Sequence, residues 1–225
     1  MNGPLIQLLQ GITQGDFALA LSSIIVIVLL LFICFPVHEF AHAYVATRLG
    51  DDTARLMGRV TLNPFAHLDP FGSLFFLVGG FGWAKPVPVN PYRLRGDPKM
   101  MMAMVALAGP VSNILLAIFF ALMFRAMYPI IGTSVDLLSG TIVQALITAV
   151  MLNLLLALFN LIPIPPLDGS RLLSALIPDE GARIMAMIER YGFLLLMVVV
   201  FAVPTVMTAL ITGPAARIAR LLLGI

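Results

Sequence analysis

The sequence predicts an all-α polytopic membrane protein, with about four long transmembrane helices and a re-entrant loop carrying short β-strands. Three observations predict it. The 225 residues are 60% hydrophobic and 11% charged, against about 45–50% apolar and about 25% charged in an average soluble domain. Mean hydropathy is +1.05. Apolar runs of the length needed to cross hydrocarbon, about 20 residues, recur along the chain. A surface so poor in charge could not keep a soluble domain dispersed. Soluble, disordered and ordinary nucleic-acid-binding classes are thereby excluded, and no nucleic-acid partner is expected. The surplus of two positive charges says little about partners. A single membrane-embedded domain is expected over 1–225, its core at about 17–175.

Residues 17–36 form the first span, free of charge after Asp16. Residues 100–124 form the second, 139–162 the third and 191–212 the fourth. Residues 71–84 are apolar, aromatic and glycine-rich but too short to cross. They read as a re-entrant or interfacial loop, tolerable only where its backbone is paired within protein. GRVTLN at 58–63 and AKPVPVN at 84–90 carry strand-like patterns. PAARIARLLLGI at 214–225 reads as a short amphipathic interfacial helix. Residues 1–16 contain no Lys or Arg, so no secretory signal peptide is expected. The connections at 48–59, 85–99 and 171–190 hold ten of the thirteen Lys and Arg, which places them on the cytosolic side. Arg217 and Arg220 count against that orientation.

Ionisable groups inside a membrane are costly and mark function by default. The first span runs into VHEFAHAYVATRLG (37–50), which contains His38-Glu39-x-x-His42. Residues four apart share one helix face. Two imidazoles placed so can bind one zinc ion, and the glutamate beside them can act as general base. With 3 His and 3 Glu in the chain, random placement yields this pattern on the order of 5 times in 10,000. The bland alternative, a polar helix end with each His paired to a carbonyl, is expensive at the end of an apolar span.

A catalytic zinc takes three protein ligands and keeps one position open. Cys34 shares the face of His38 and His42, but eight residues separate it from His42, about 12 Å along a helix. It reads better as a small buried apolar residue. Asp168 is the better candidate. It ends NLIPIPPLDGSRLL (160–173), where Pro163, Pro165 and Pro166 preclude a regular helix, and unwound segments at membrane depth line sites. Taken alone, Asp168-Gly169 is equally an ordinary capping turn; beside an incomplete two-His site, the ligand reading is preferred.

HEFAH at the end of an apolar helix, with N-x-x-P-x-P-P-L-D-G near a later one, resembles the site-2 protease family of intramembrane zinc metalloproteases. AGPVSN (108–113), NPFAHLDPFGSL (63–74) and GWAKPVPVNP (82–91) are similar to further segments of that family, and the likeness covers roughly 30–175. The resemblance implies one Zn2+ per chain held by His38, His42 and Asp168, with Glu39 as catalytic base. It implies that Asn160 helps bind substrate or the oxyanion, and that Asn113 is a second polar position near the site that contacts substrate. It also implies a multi-pass protein of a bacterial cell membrane. Its active site would lie nearer the cytosol, and it would cleave transmembrane segments of other proteins to release a regulator or clear a signal-peptide remnant. The chain resembles a minimal form, without PDZ or C-terminal nucleotide-sensing domain, so substrate choice falls to the membrane core or to a regulatory membrane partner.

Other polar residues read more blandly. His67 and Asp69 order their loop by local hydrogen bonds rather than form a second metal site. Arg93, Arg95 and Lys99 form a juxtamembrane anchor. Met100 to Met102 and Met104 are packing residues. An extended substrate is expected to add to a strand edge at 58–63 or 84–90, entering past the fourth span, where Pro204 can kink the helix. The competing readings are a zinc or proton-coupled transporter, which also sets His and Asp in broken helices, and an inactive scaffold.

Overall fold

The computed structural model describes residues 2–132, 137–178, 182–202 and 204–225; the side chains of 182–188 and 204 lie outside the description. Helix α1 (Pro4–Gln14) ends at Gly15, whose φ of 69° lets the chain double back. Helix α2 (Phe17–Arg48) starts where Asp16 accepts a hydrogen bond from the Leu19 N–H at 3.0 Å, satisfying one of the free donors of the first turn. After α2 come α3 (Thr53–Leu56) and α4 (Pro70–Gly79). Then follow α5 (Pro98–Ile131), α6 (Leu137–Asn160), α7 (Gly169–Leu176), α8 (Ala182–Ala202) and α9 (Thr205–Leu223).

Four of these are long and apolar enough to cross a membrane: α2, α5, α6 and α9. The chain is a multi-pass membrane protein. The first three match the sequence expectation in place. The fourth does not. The predicted span at 191–212 straddles α8 and α9, and the long apolar helix is Thr205–Leu223. The expected interfacial helix at 214–225 is the end of that same helix. Its Ala215, Ala219 and Leu223 are buried against Ala117, Ala121 and Phe124 of α5 and Leu146, Val150 and Leu154 of α6. Alanines four apart let helix backbones approach closely, and that is why this face packs inward. Arg125 belongs to the same contact: its guanidinium donates to the Leu221 carbonyl at 3.2 Å, where the end of α9 leaves carbonyls unpaired.

The expected loop with short strands also takes another form. Residues 70–79 are helical, started by Asp69, which accepts from the Gly72 N–H at 2.7 Å. The segment after it is extended, but among the described residues no sheet forms; Leu68 and Ala84 make an isolated antiparallel bridge. Pro86 and Pro88 remove the N–H donors a ladder needs.

Two of the long helices, α2 and α9, widen just before a proline, whereas α5 accommodates its buried Pro110 without a π-turn. In α2, Leu30–Cys34 form a π-turn and the Phe35 N–H reaches the Leu30 carbonyl, immediately before Pro36. In α9, Thr208–Thr212 do the same before Pro214. A proline ring clashes with the carbonyl four residues back, and a π-turn moves that carbonyl aside. The α2 turn packs Leu30, Leu31, Cys34 and Phe35 against Phe76 of α4. Cys34 is fully buried there, as a small apolar residue. His38 follows 21 residues after Phe17, about 32 Å along the helix, near the far edge of a hydrocarbon core of about 30 Å.

Candidate metal centre

The sequence leaves the third ligand to a broken segment 126 residues after His42, and the fold brings it there. His38 and His42 project from one face of α2, and residues 161–168 run back to them in turns. Asp168 Oδ2 lies 3.1 Å from His38 Nε2 and 3.4 Å from His42 Nε2. The two Nε2 atoms are 3.0 Å apart. Asp168 does not cap α7 with its side chain, so the carboxylate is free of the turn role. Gly169 permits the approach, since a Cβ would sit 2.2 Å from the Leu161 carbonyl oxygen.

Each imidazole is held from behind. His42 Nδ1 is 2.8 Å from the Val105 carbonyl and His38 Nδ1 is 2.6 Å from Asn113 Oδ1. A carbonyl only accepts, so His42 carries its proton on Nδ1 and presents a bare Nε2. Three lone-pair atoms therefore converge within 4.8 Å of one another. Asp168 Oδ2 is buried with no hydrogen-bond partner. Such an arrangement is repulsive unless a cation occupies its centre, and two imidazoles with one carboxylate are a donor set zinc accepts. Space is provided by Gly109 of α5, where a Cβ would lie 2.5 Å from His42 Nε2 and 2.6 Å from His38 Nε2.

The centre opens on a cavity of about 790 Å³. Glu39 and Asn160 lie on its wall with His38, His42 and Asp168. The Asn160 amide donates one hydrogen to the Leu156 carbonyl at 2.9 Å, and that bond does not use its second N–H. Asn113, expected to contact substrate, is fully buried behind His38 and is not on the cavity wall. One wall is the extended segment 82–89. Gly72 and Gly82 let it lie directly on α4; a Cβ at Gly82 would sit 2.3 Å from the Gly72 oxygen. Helix α8 adjoins this wall, meeting it edge-on through Trp83–Phe193, with Phe81 just before the segment meeting Phe201 in the same way. Arg171 and Glu189 pair at 2.8 Å beside it.

Three features escaped the sequence reading. Arg59 is buried, and its guanidinium donates to the carbonyls of Lys85 at 2.5 Å and Pro86 at 3.1 Å. Burial lowers it from the ordinary arginine value, and the charge of Glu39 opposes that. Asp51 is fully buried and accepts from the Asn90 N–H at 2.6 Å. These two charges clamp the wall segment at both ends where no sheet does. Asn153, fully buried beside Asn113, sits seven residues before Asn160, two turns along one face of a charge-free helix; that spacing was the available signal. His67 and Asp69 do what the sequence suggested: His67 Nε2 donates to the Thr61 carbonyl at 2.7 Å and Asp69 caps α4.

Residues 26–200 match Peptidase family M50. The Bacillus subtilis protein named "Putative zinc metalloprotease YwhC" is 45% identical over 180 residues, covering 79% of this chain and 81% of that protein. The Mycolicibacterium smegmatis protein named "Putative zinc metalloprotease Rip2" is 30% identical over 171 residues, and its Mycobacterium tuberculosis counterpart is 29% identical over 174. The chain spans 61% and 63% of those two proteins. No solved structure matches this chain. With more than half its length matched and a ligand cluster built on the HEFAH and LDG segments, the chain belongs to Peptidase family M50.

Proposed function

We propose that this protein is an intramembrane zinc metalloprotease. It hydrolyses peptide bonds in or near transmembrane segments of other membrane proteins, with the bilayer as its solvent partner. The observation that carries the reading is the convergence of His38, His42 and the unpartnered Asp168 carboxylate beside Glu39 on one cavity. A zinc ion held by these three residues supplies Lewis acidity to a water and to the scissile carbonyl. Glu39 removes a proton from the attacking water and passes it to the leaving amine. The free N–H of Asn160 donates to the carbonyl oxygen as negative charge develops there.

A helical substrate hides its peptide bonds, so it must unwind in the cavity. Only Val87 and Val89 retain an N–H on the wall between Pro86 and Asn90, and they offer an extended peptide a short edge. The lining is mostly apolar, as an unwound membrane segment requires. Entry lies on the α8 side, where the wall is closed by edge-on aromatic contacts rather than interdigitated helix packing. The Lys and Arg distribution supports a centre nearer the cytosolic side of a bacterial cell membrane. The whole chain acts as one domain, and a regulatory membrane partner supplies further selectivity. The transporter reading finds no support: among the described residues there is one ligand cluster, not a series of them along a path.

The test is cleavage of a panel of tagged single-span proteins by purified protein in lipid, with Glu39→Gln beside wild type and zinc measured in both. Cleavage by wild type alone, with about one zinc in each, supports the assignment. Cleavage by Glu39→Gln at the wild-type rate removes Glu39 as the base.

A further inference from the structure

We infer that Asn153 is a positioning residue of the metal centre, setting the tautomer of His38 through a relay of buried amides; this rests on the zinc reading above. The relay starts at a fixed point. Asn153 Nδ2 lies 2.9 Å from the Ala149 carbonyl, and a backbone carbonyl can only accept. The Asn153 amide is therefore turned with its NH2 toward Ala149 and its Oδ1 outward. That oxygen takes the Asn113 Nδ2 hydrogen at 2.8 Å. The Cys34 carbonyl, 3.4 Å from the same nitrogen, favours the same orientation. Asn113 Oδ1 then faces His38 Nδ1 at 2.6 Å and can only accept from it. His38 must carry its proton on Nδ1 and leave Nε2 bare toward Asp168.

The two histidines thus reach the same tautomer by different means. His42 is set directly by the Val105 carbonyl. His38 has a side-chain amide behind it, and an amide can flip. Flipped, Asn113 would offer NH2 to Nδ1, move the proton to Nε2 and point it at the metal position. Asn113 and Asn153 are both fully buried, away from water that could correct the error. Asn153 removes the ambiguity by tying the amide to the backbone of α6. Groups behind a ligating histidine are worth about 10–100-fold in metal affinity.

The experiment measures zinc affinity of the purified full chain by competition with a chelator, with the absorption spectrum of the Co2+-loaded protein as a second readout. Thermal unfolding of each metal-free variant checks the fold. Asn153→Leu should weaken zinc by about 10–100-fold and distort the Co2+ spectrum. Asn113→Leu/Asn153→Leu removes both partners and leaves no orphaned amide, so it keeps a folded reference even if the single variant does not fold; it should be equally weak. Asn113→Asp in the Asn153→Leu background should return affinity to within a few-fold of wild type, because a carboxylate accepts through either oxygen and needs no orienting. Wild-type affinity in Asn153→Leu or in the double leucine variant, or no recovery with Asn113→Asp, overturns the relay. A wild-type protein that takes up no zinc overturns the metal reading itself, and the relay with it.

Discussion

The front and the rear of the metal centre are built oppositely. At the rear, His38, His42, Asn113 and Asn153 are buried and each has a polar partner within 3.0 Å. At the front, Asp168 Oδ2 has none, and Glu39 and Asn160 face a cavity. A satisfied buried network rigidifies, and an unsatisfied buried group is costly. The contrast separates two tasks: the rear fixes ligand directions before any metal arrives, and the front holds unmet demand for a cation, a water and a substrate. If that division is right, substitutions at the front should remove chemistry and those at the rear should remove geometry.

The largest effect should come from filling the space between. Gly109→Ala places a methyl about where the two Nε2 atoms meet, although alanine favours a helix by about 1 kcal/mol over glycine. The expected protein is folded but devoid of zinc and activity, and its metal-free melt is no higher than that of wild type, because overpacking at 2.5 Å costs about 1–3 kcal/mol and offsets the helix gain. Zinc content and a thermal melt decide it. A zinc-replete Gly109→Ala would mean that the imidazoles swing aside and the rear is less rigid than its hydrogen bonds imply. Asp168→Ala should match the zinc loss from the other side, and chelation of the wild type should reproduce both reversibly.

Next comes the base. Glu39→Gln keeps the shape and the metal ligands but cannot take a proton, and should lower the cleavage rate by about 10²–10⁴-fold with zinc content unchanged. Loss of zinc in this variant would blur the two halves, making Glu39 a support for the ligands rather than a reacting group.

Much of the front was legible in the sequence because it is written in ionisable residues. His38, Glu39 and His42 stand out in an apolar chain with 3 His, and the prolines before Asp168 announce an unwound segment. The rear was less legible. Asn113 and Asn153 are neutral and sit in hydrophobic spans, where an amide has several ordinary partners; which one it meets is a tertiary fact. The fourth helix was misplaced for a related reason. Hydropathy is high across 191–212, but the inward face is set by small residues at 215 and 219, which score as unremarkable. The strand patterns at 58–63 and 84–90 form no sheet among the described residues; Pro86 and Pro88 deprive the second of ladder donors, and two buried charges took over the holding of that wall.

Those charges give the smaller predictions. Arg59→Met keeps the length of the side chain and loses the donors to the Lys85 and Pro86 carbonyls. The wall should loosen, raising KM for a membrane substrate while zinc content stays at the wild-type level. Zinc loss in Arg59→Met would show that the wall and the metal centre are one unit.

Asp51 holds the other end of the wall, and its effect should appear in stability against pH. Burial raises its carboxyl, but hydrogen bonds from Thr53 and from the Asn90 N–H outweigh that and hold it below its ordinary value. A group whose folded value is depressed contributes stability above its unfolded value, about 3.9. That contribution is lost as pH falls through the lower folded value. Asp51→Ala should therefore be less stable than wild type at neutral pH by about 1.5–3 kcal/mol, the range for hydrogen bonds to a charged group. The gap should narrow as pH drops below about 3.9, and thermal melts of both proteins across that range measure it. A gap independent of pH would mean that packing, not the charge, is what Asp51 contributes. The wall would then owe its position to Arg59 and to the Lys85 N–H on the His67 carbonyl alone.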